Sequence, residues 1–157
     1  MGNIDIKSPS FADNGYMPKK HTGFGEDISP EFKLSNLSYY TVSIAIIMDD
    51  LDIPFIKAYN HWLIWNIPKV EIIPGDIPYG SPVSSFYDAV QGVAYGENRY
   101  RGPKQPFFVR NAHRYIFRFY ALDCFLCLDS KAKKKDLLKA MHGHIIQQGS
   151  IIGKYKR

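Results

Sequence analysis

Residues 113–122, HRYIFRFYAL, alternate in the way of a strand whose two faces differ. His113, Tyr115, Phe117, Phe119 and Ala121 fall on one face; Arg114, Ile116, Arg118, Tyr120 and Leu122 fall on the other. The surrounding stretch, from Phe107 to about Leu128, is expected to contain the longest strand of the chain. YYTVSIAIIM, residues 39–48, is a β-branched apolar run and predicts a buried strand, ended by the acids and proline of DDLDIP. HWLIWNI, residues 61–67, predicts a further strand with His61, Leu63, Trp65 and Ile67 on one face. Only one segment has helical spacing: Leu137, Leu138, Met141, Ile145 and Ile146. Lysines preceding it oppose the helix dipole, so the helix is expected to begin near Lys134 or Asp136. SIIGKYKR at the end predicts one last short strand.

Between these elements the chain is punctuated. The first 38 residues carry turn signals at ADNG and TGFGEDISP. Residues 68–82 hold prolines at 68, 74, 78 and 82, which argues against a long helix or central strand there. ENRYRGPKQP is another loop. No internal repeat or long linker is visible. The pattern predicts one domain over residues 1–157, mainly β and antiparallel, with a single C-terminal helix.

Composition narrows the classes. At 45% hydrophobic and 15% aromatic residues, 157 residues can build a sizeable core. No apolar window is long enough for a transmembrane segment, and the N-terminus lacks a signal or myristoylation pattern. A soluble, cytoplasmic protein is the expectation. The net charge of +5 is compatible with anionic ligands. Part of it lies in SKAKKKDLLK, residues 130–139, which reads as a solvated helix start; no nucleic-acid motif accompanies it, and no nucleic-acid partner is expected. Cys124 and Cys127 match the spacing of a redox pair, but they interrupt an apolar run rather than start a helix, so they read as core or edge thiols whose odd spacing on a strand points them to opposite faces. His142 and His144, at i and i+2 on a helix, would not chelate together.

Polar groups remain at the strand ends: Asp49, Asp50 and Asp52, then His61, the loop at 102–106, and His113 with Tyr115. Each has an ordinary explanation as a capped turn or a satisfied core residue. Together, imidazoles, a phenol and loop amides supply donors for an anion, and an acid can orient a histidine.

The combination resembles the phosphatidylethanolamine-binding protein family, especially its bacterial and archaeal branch. GEDISPEF (25–32) is similar to that branch's G-E-N/D-x-S-P. MDDLDIP (48–54) is similar to D-P-D-A-P, with Asp50, Asp52 and Pro54 matching and Leu51 and Ile53 departing. HWLIWNIP (61–68) matches H-W-x-x-x-N-I-P, GPKQP (102–106) resembles G-P-C-P-P, HRYIFRFYALD resembles H-R-Y-x-F-x-x-Y-A-L-D, and the tail resembles G-T-Y-x-R. The resemblance implies a large central antiparallel sheet, a smaller flanking sheet and one or two helices. It also implies an anion pocket made of Asp50, His61, Gly102, Pro106, His113 and Tyr115, with Asp52 and Pro54 shaping the adjoining loop. Gln105 stands where the family has a proline and would soften the pocket wall or add an amide. Arg110, in an insert before His113, is placed to strengthen anion binding at the mouth if it reaches there.

The first functional reading is a binding module for a phosphate, a phospholipid head group or a carboxylate, needing no cofactor. The second, implied by the resemblance, is a regulator that inhibits a serine protease or kinase, with residues 68–82 as the candidate contact. The third is an enzyme using Asp50, His61 and His113 as a metal site or acid–base set; no nucleophile or metal motif supports it. The apolar stripe of the helix fits either a pocket-side packing role or a homodimer contact.

Overall fold

The alternation in residues 113–122 becomes the central scaffold of the fold. The computed structural model describes residues 2–157. In chain order the elements are β1 (Asp5–Lys7), β2 (Gly15–Tyr16), β3 (Phe32–Ser35), β4 (Ser43–Asp50), β5 (Tyr59–Pro68), β6 (Ile72–Ile73), β7 (Val90–Gln91), β8 (His113–Leu122), α1 (Lys134–Met141) and β9 (Ile145–Tyr155). Six strands form the large sheet in the order β2-β9-β8-β4-β5-β7, antiparallel except for the short β2–β9 pair; β1, β3 and β6 form a small antiparallel sheet. The expected large sheet, smaller sheet and C-terminal helix are all present.

The large sheet is covered on both sides. On one face Phe117, Phe119, Ile44, Ile46, Met48, Trp62 and Ile64 pack with Phe32, Leu34 and Ile73 of the small sheet. On the other, Ile47, Leu63, Trp65 and Leu122 pack with Leu137 and Met141 of α1. Double coverage explains why every residue of β4 is buried and why its sequence does not alternate.

Four expectations are corrected. β4 is displaced four residues at its start: Tyr39 and Tyr40 are exposed in a turn, and the strand runs through both acids to Asp50. It can do so because the acids are partnered; Asp49 meets Arg118 at 3.1 Å and Lys134 at 2.7 Å. The shared face on β5 breaks at two bulges, where Met48 pairs with Trp62 but Asp49 with Asn60, and Ile44 pairs with Ile67 but Ile46 with Ile64. Consequently Ile67 joins Trp62 and Ile64 rather than Leu63 and Trp65. The strand expected within Phe107–Leu128 is β8, His113–Leu122, but at ten residues it is shorter than the eleven-residue β9, and the cysteines lie beyond it in a non-strand segment. Finally, Ile145 and Ile146 belong not to the helix but to β9, an eleven-residue strand that pairs with β8 along its length.

The helix starts where expected. The Asp136 carboxylate accepts the Lys133 N–H at 2.9 Å, satisfying an N-terminal amide. Gly143, with φ +81°, turns the chain out of the helix and into β9. His142 caps the helix and His144 lies in the turn. Among the described residues no helix is long and apolar enough to cross a membrane.

Candidate functional site

The end of β4, the start of β8 and the first bulge of β5 enclose a cavity of about 510 Å³. Strand alternation separates the two acids of β4. Asp49 turns to the helix side, and Asp50 turns to the cavity, opposite Tyr115 on β8. His61 is the extra residue of the bulge. Bulges re-aim side chains, and this one brings His61 to the same side as Tyr115, its ring edge-on at 5.4 Å between centroids.

Asp50 and His113 are both buried, with Nδ1 of His113 2.9 Å from the Asp50 carboxylate. The other Asp50 oxygen accepts the Asp52 N–H at 2.9 Å. The Asp52 carboxylate binds the Arg114 backbone N–H and guanidinium, which fastens the 51–54 loop to β8. That pairing lowers the Asp52 carboxyl below its ordinary range. His61 Nδ1 donates to the Arg101 carbonyl at 2.7 Å. Burial lowers the basicity of His61, opposed in part by that bond and by Asp50. Burial, reinforced by the Asp50 charge, raises the Tyr115 phenol well above its ordinary range, so it keeps its proton.

With Nδ1 of each histidine engaged, Nε2 is the atom left for a ligand. A neutral ring offers a lone pair there and a protonated ring offers N–H. Chemically, the floor can therefore accommodate a negatively charged oxygen when an imidazole is protonated, or a ligand O–H when it is not. Tyr59 and Tyr95 add edge-on rings around His61. Ile53, Pro54, Ile56, Phe108 and Val109 form an apolar wall.

Of the residues anticipated in the sequence, Asp50, Pro54, His61, Gln105, Pro106, His113 and Tyr115 line this cavity. Gln105 also donates from Nε2 to the Tyr155 carbonyl at 2.8 Å, tying the wall to the end of β9. Gly102 does not line it. Its N–H is taken by Asp27 at 2.7 Å, and a Cβ there would collide with the His21 carbonyl. Gly102 thus allows a close backbone approach rather than offering an amide to a ligand. Arg110 is exposed and outside the cavity, and Asp52 acts through the loop it holds. The three-ligand metal arrangement of Asp50, His61 and His113 does not form; among the described residues such a grouping occurs only at Asp123, Cys124 and His144.

Sequence reasoning missed Tyr59, Tyr95, Lys104 and Asp27. Asp27 holds the 99–102 loop through Gly102 N–H and, at 3.0 Å, the Arg99 guanidinium. That loop delivers the Arg101 carbonyl to His61. The acid stood within the GEDISP motif, but nothing local signalled a partner more than seventy residues away.

The phosphatidylethanolamine-binding protein family model matches residues 7–156. A UPF0098 protein of Pyrococcus horikoshii is 41% identical over 151 residues, covering 96% of this chain and 75% of that one. A UPF0098 protein of Methanothermobacter thermautotrophicus is 39% identical, covering 98% of this chain and 99% of that one. Among solved structures, a phosphatidylethanolamine-binding protein homolog of Chlamydia trachomatis superposes with a TM-score of 0.86 at 29% identity, over 100% of this chain and 99% of that one. The YbcL protein of E. coli superposes at 0.88 with 23% identity over 99% of both, a likeness of fold.

Proposed function

Because the chain belongs to the phosphatidylethanolamine-binding protein family, we propose that it is a binding module for a small anionic group carried on an apolar remainder. Phosphate monoesters, phospholipid head groups and carboxylates share this chemistry. The observation that carries the reading is the convergence of buried Asp50, His61, His113 and Tyr115 on one cavity. The anion sits against the two Nε2 atoms and the phenol. Asp50 orients His113 and balances its charge when the ring is protonated. The apolar remainder lies along Ile53, Ile56 and Phe108, beside the exposed Phe55 and Phe107. A continuous apolar wall has no use for phosphate alone, which favours an ester or a substituted acid.

Calorimetric titration with phosphate, phosphoethanolamine and a short-chain carboxylate tests the reading. His113→Ala is expected to weaken binding about ten- to hundredfold, as loss of a charge-assisted hydrogen bond does. Arg110→Ala lies outside the cavity and is expected to leave it unchanged. Absence of binding by all three probes at millimolar concentration removes the proposal.

A further inference from the structure

The other end of β8 carries a second cluster, about 30 Å from the cavity by strand length. Leu122 and Ile145 are the last pair of the β8–β9 ladder. Asp123 and His144 come next, joined by an Asp123 N–H to His144 carbonyl bond of 3.1 Å. This register sets their side chains together, with His144 Nδ1 2.8 Å from the Asp123 carboxylate. Cys124 follows on a backbone that is held in place. Its carbonyl accepts the Ser43 hydroxyl at 2.6 Å. Two residues on, the Asn66 side chain clamps Leu126 through both its amide hydrogen and its carbonyl. Asn66 is itself a residue of the second β5 bulge, with φ +60°.

The Asp123 oxygen, Cys124 sulfur and His144 nitrogen lie within 4.8 Å of one another. Asp123 and His144 are exposed and Cys124 is half-buried, so an ion can enter directly from water. We propose that Asp123, Cys124 and His144 form a binding site for a borderline-soft divalent cation, with zinc the best match. A thiolate with an imidazole and one carboxylate selects zinc over magnesium or calcium, which prefer all-oxygen sites. Zinc bonds of about 2.3 Å to sulfur and about 2.0–2.1 Å to nitrogen and oxygen require donors roughly 3.5 Å apart in a tetrahedron. Side-chain rotation closes the remaining ångström while the clamped backbone stays fixed. On binding, the Cys124 thiol releases its proton to water and the sulfur takes the metal. The imidazole uses a ring nitrogen lone pair, and the carboxylate moves from the imidazole to the metal. The fourth position faces solvent, with the exposed Cys127 three residues away. The exposed His144–Asp123 contact by itself contributes little to stability, so the fold does not require the arrangement.

The test is a cobalt titration of the chemically reduced protein, followed by zinc displacement. One cobalt per chain, a thiolate-to-cobalt charge-transfer band, and bleaching by zinc are expected. Cys124→Ser abolishes the charge-transfer band; His144→Gln and Asp123→Asn each weaken binding by about tenfold or more; Cys127→Ser keeps the band. Circular dichroism verifies folding of each variant, and the two exposed conservative changes carry the test if the cysteine variant is unstable. No band at excess cobalt, or a band that survives Cys124→Ser or is lost only in Cys127→Ser, overturns the assignment. Because the two sites lie at opposite ends of the strand, failure here is separate from failure of the anion pocket.

Discussion

His61 and His113 face the same cavity, but their Nδ1 atoms meet different partners, and this divides their roles. His113 is held by the Asp50 carboxylate. His61 is held by a peptide carbonyl and buried, and burial makes it harder to protonate than an ordinary histidine of pKa 6.5. An anion at Nε2 supplies the charge that His61 lacks, so binding and protonation reinforce one another. Affinity is therefore expected to rise as pH falls below about 6.5. Sulfate is the suitable probe, because it does not titrate in this range. In His61→Gln, which keeps a donor but no titration, the rise should be smaller. A flat affinity between pH 8 and 5 in the unaltered protein contradicts the assignment.

At the scale of elements, the two bulges of β5 do what strict alternation cannot. One turns His61 toward Tyr115; the other shifts Ile67 to the face of Trp62 and frees Asn66 to hold Leu126. Neither is visible in HWLIWNIP, because a bulge is defined by the partner strand's register and not by local composition. The face of β8 was legible, since both its sides keep their period through Ala121 and Leu122. The pocket histidines and acids were legible through family motifs, whereas Asp27 and Tyr95 act through distant contacts that leave no periodic trace. The continuation of the helical stripe into Ile145 and Ile146 was misleading because β9 begins only four residues after α1 ends, and Gly143 hides the break inside a matching spacing. Partnered acids likewise concealed the end of β4. Asp49 is wholly buried, and Lys134 reaches it from the first turn of α1. Asp49→Asn should thus loosen the helix from the sheet, costing about 1–3 kcal/mol because the two cations are partly exposed and can rehydrate. Urea unfolding measures this, and sulfate affinity should hold steady, since Asp49 faces away from the cavity.

Across the whole molecule, the buried histidines tie stability to pH. Burial lowers both His21 and His61 below 6.5, against the smaller opposing effect of their carbonyl partners. The unfolded chain then takes up protons that the folded chain refuses. Their contribution is complete above pH 6.5 and is lost as pH falls through 6.5 toward the lower folded values, with a limiting slope of about 2.7 kcal/mol per pH unit for two protons. Asp52 adds a separate loss at lower pH: its carboxyl is depressed by Arg114, so its contribution holds above the ordinary 3.8 and disappears as pH drops through the folded value. Thermal unfolding should accordingly show a plateau above neutrality and a decline beginning near pH 6.5, halved in slope by His61→Gln. Ligand acts against this decline. An anion that binds protonated His61 stabilises the folded state most where the bare protein is weakest, by about 2.7 kcal/mol at a hundredfold excess over Kd. Sulfate should therefore raise Tm more at pH 5.5 than at pH 8. An equal rise at both values would place the anion away from His61, while a rise that persists unchanged in His113→Ala would place it outside the cavity altogether.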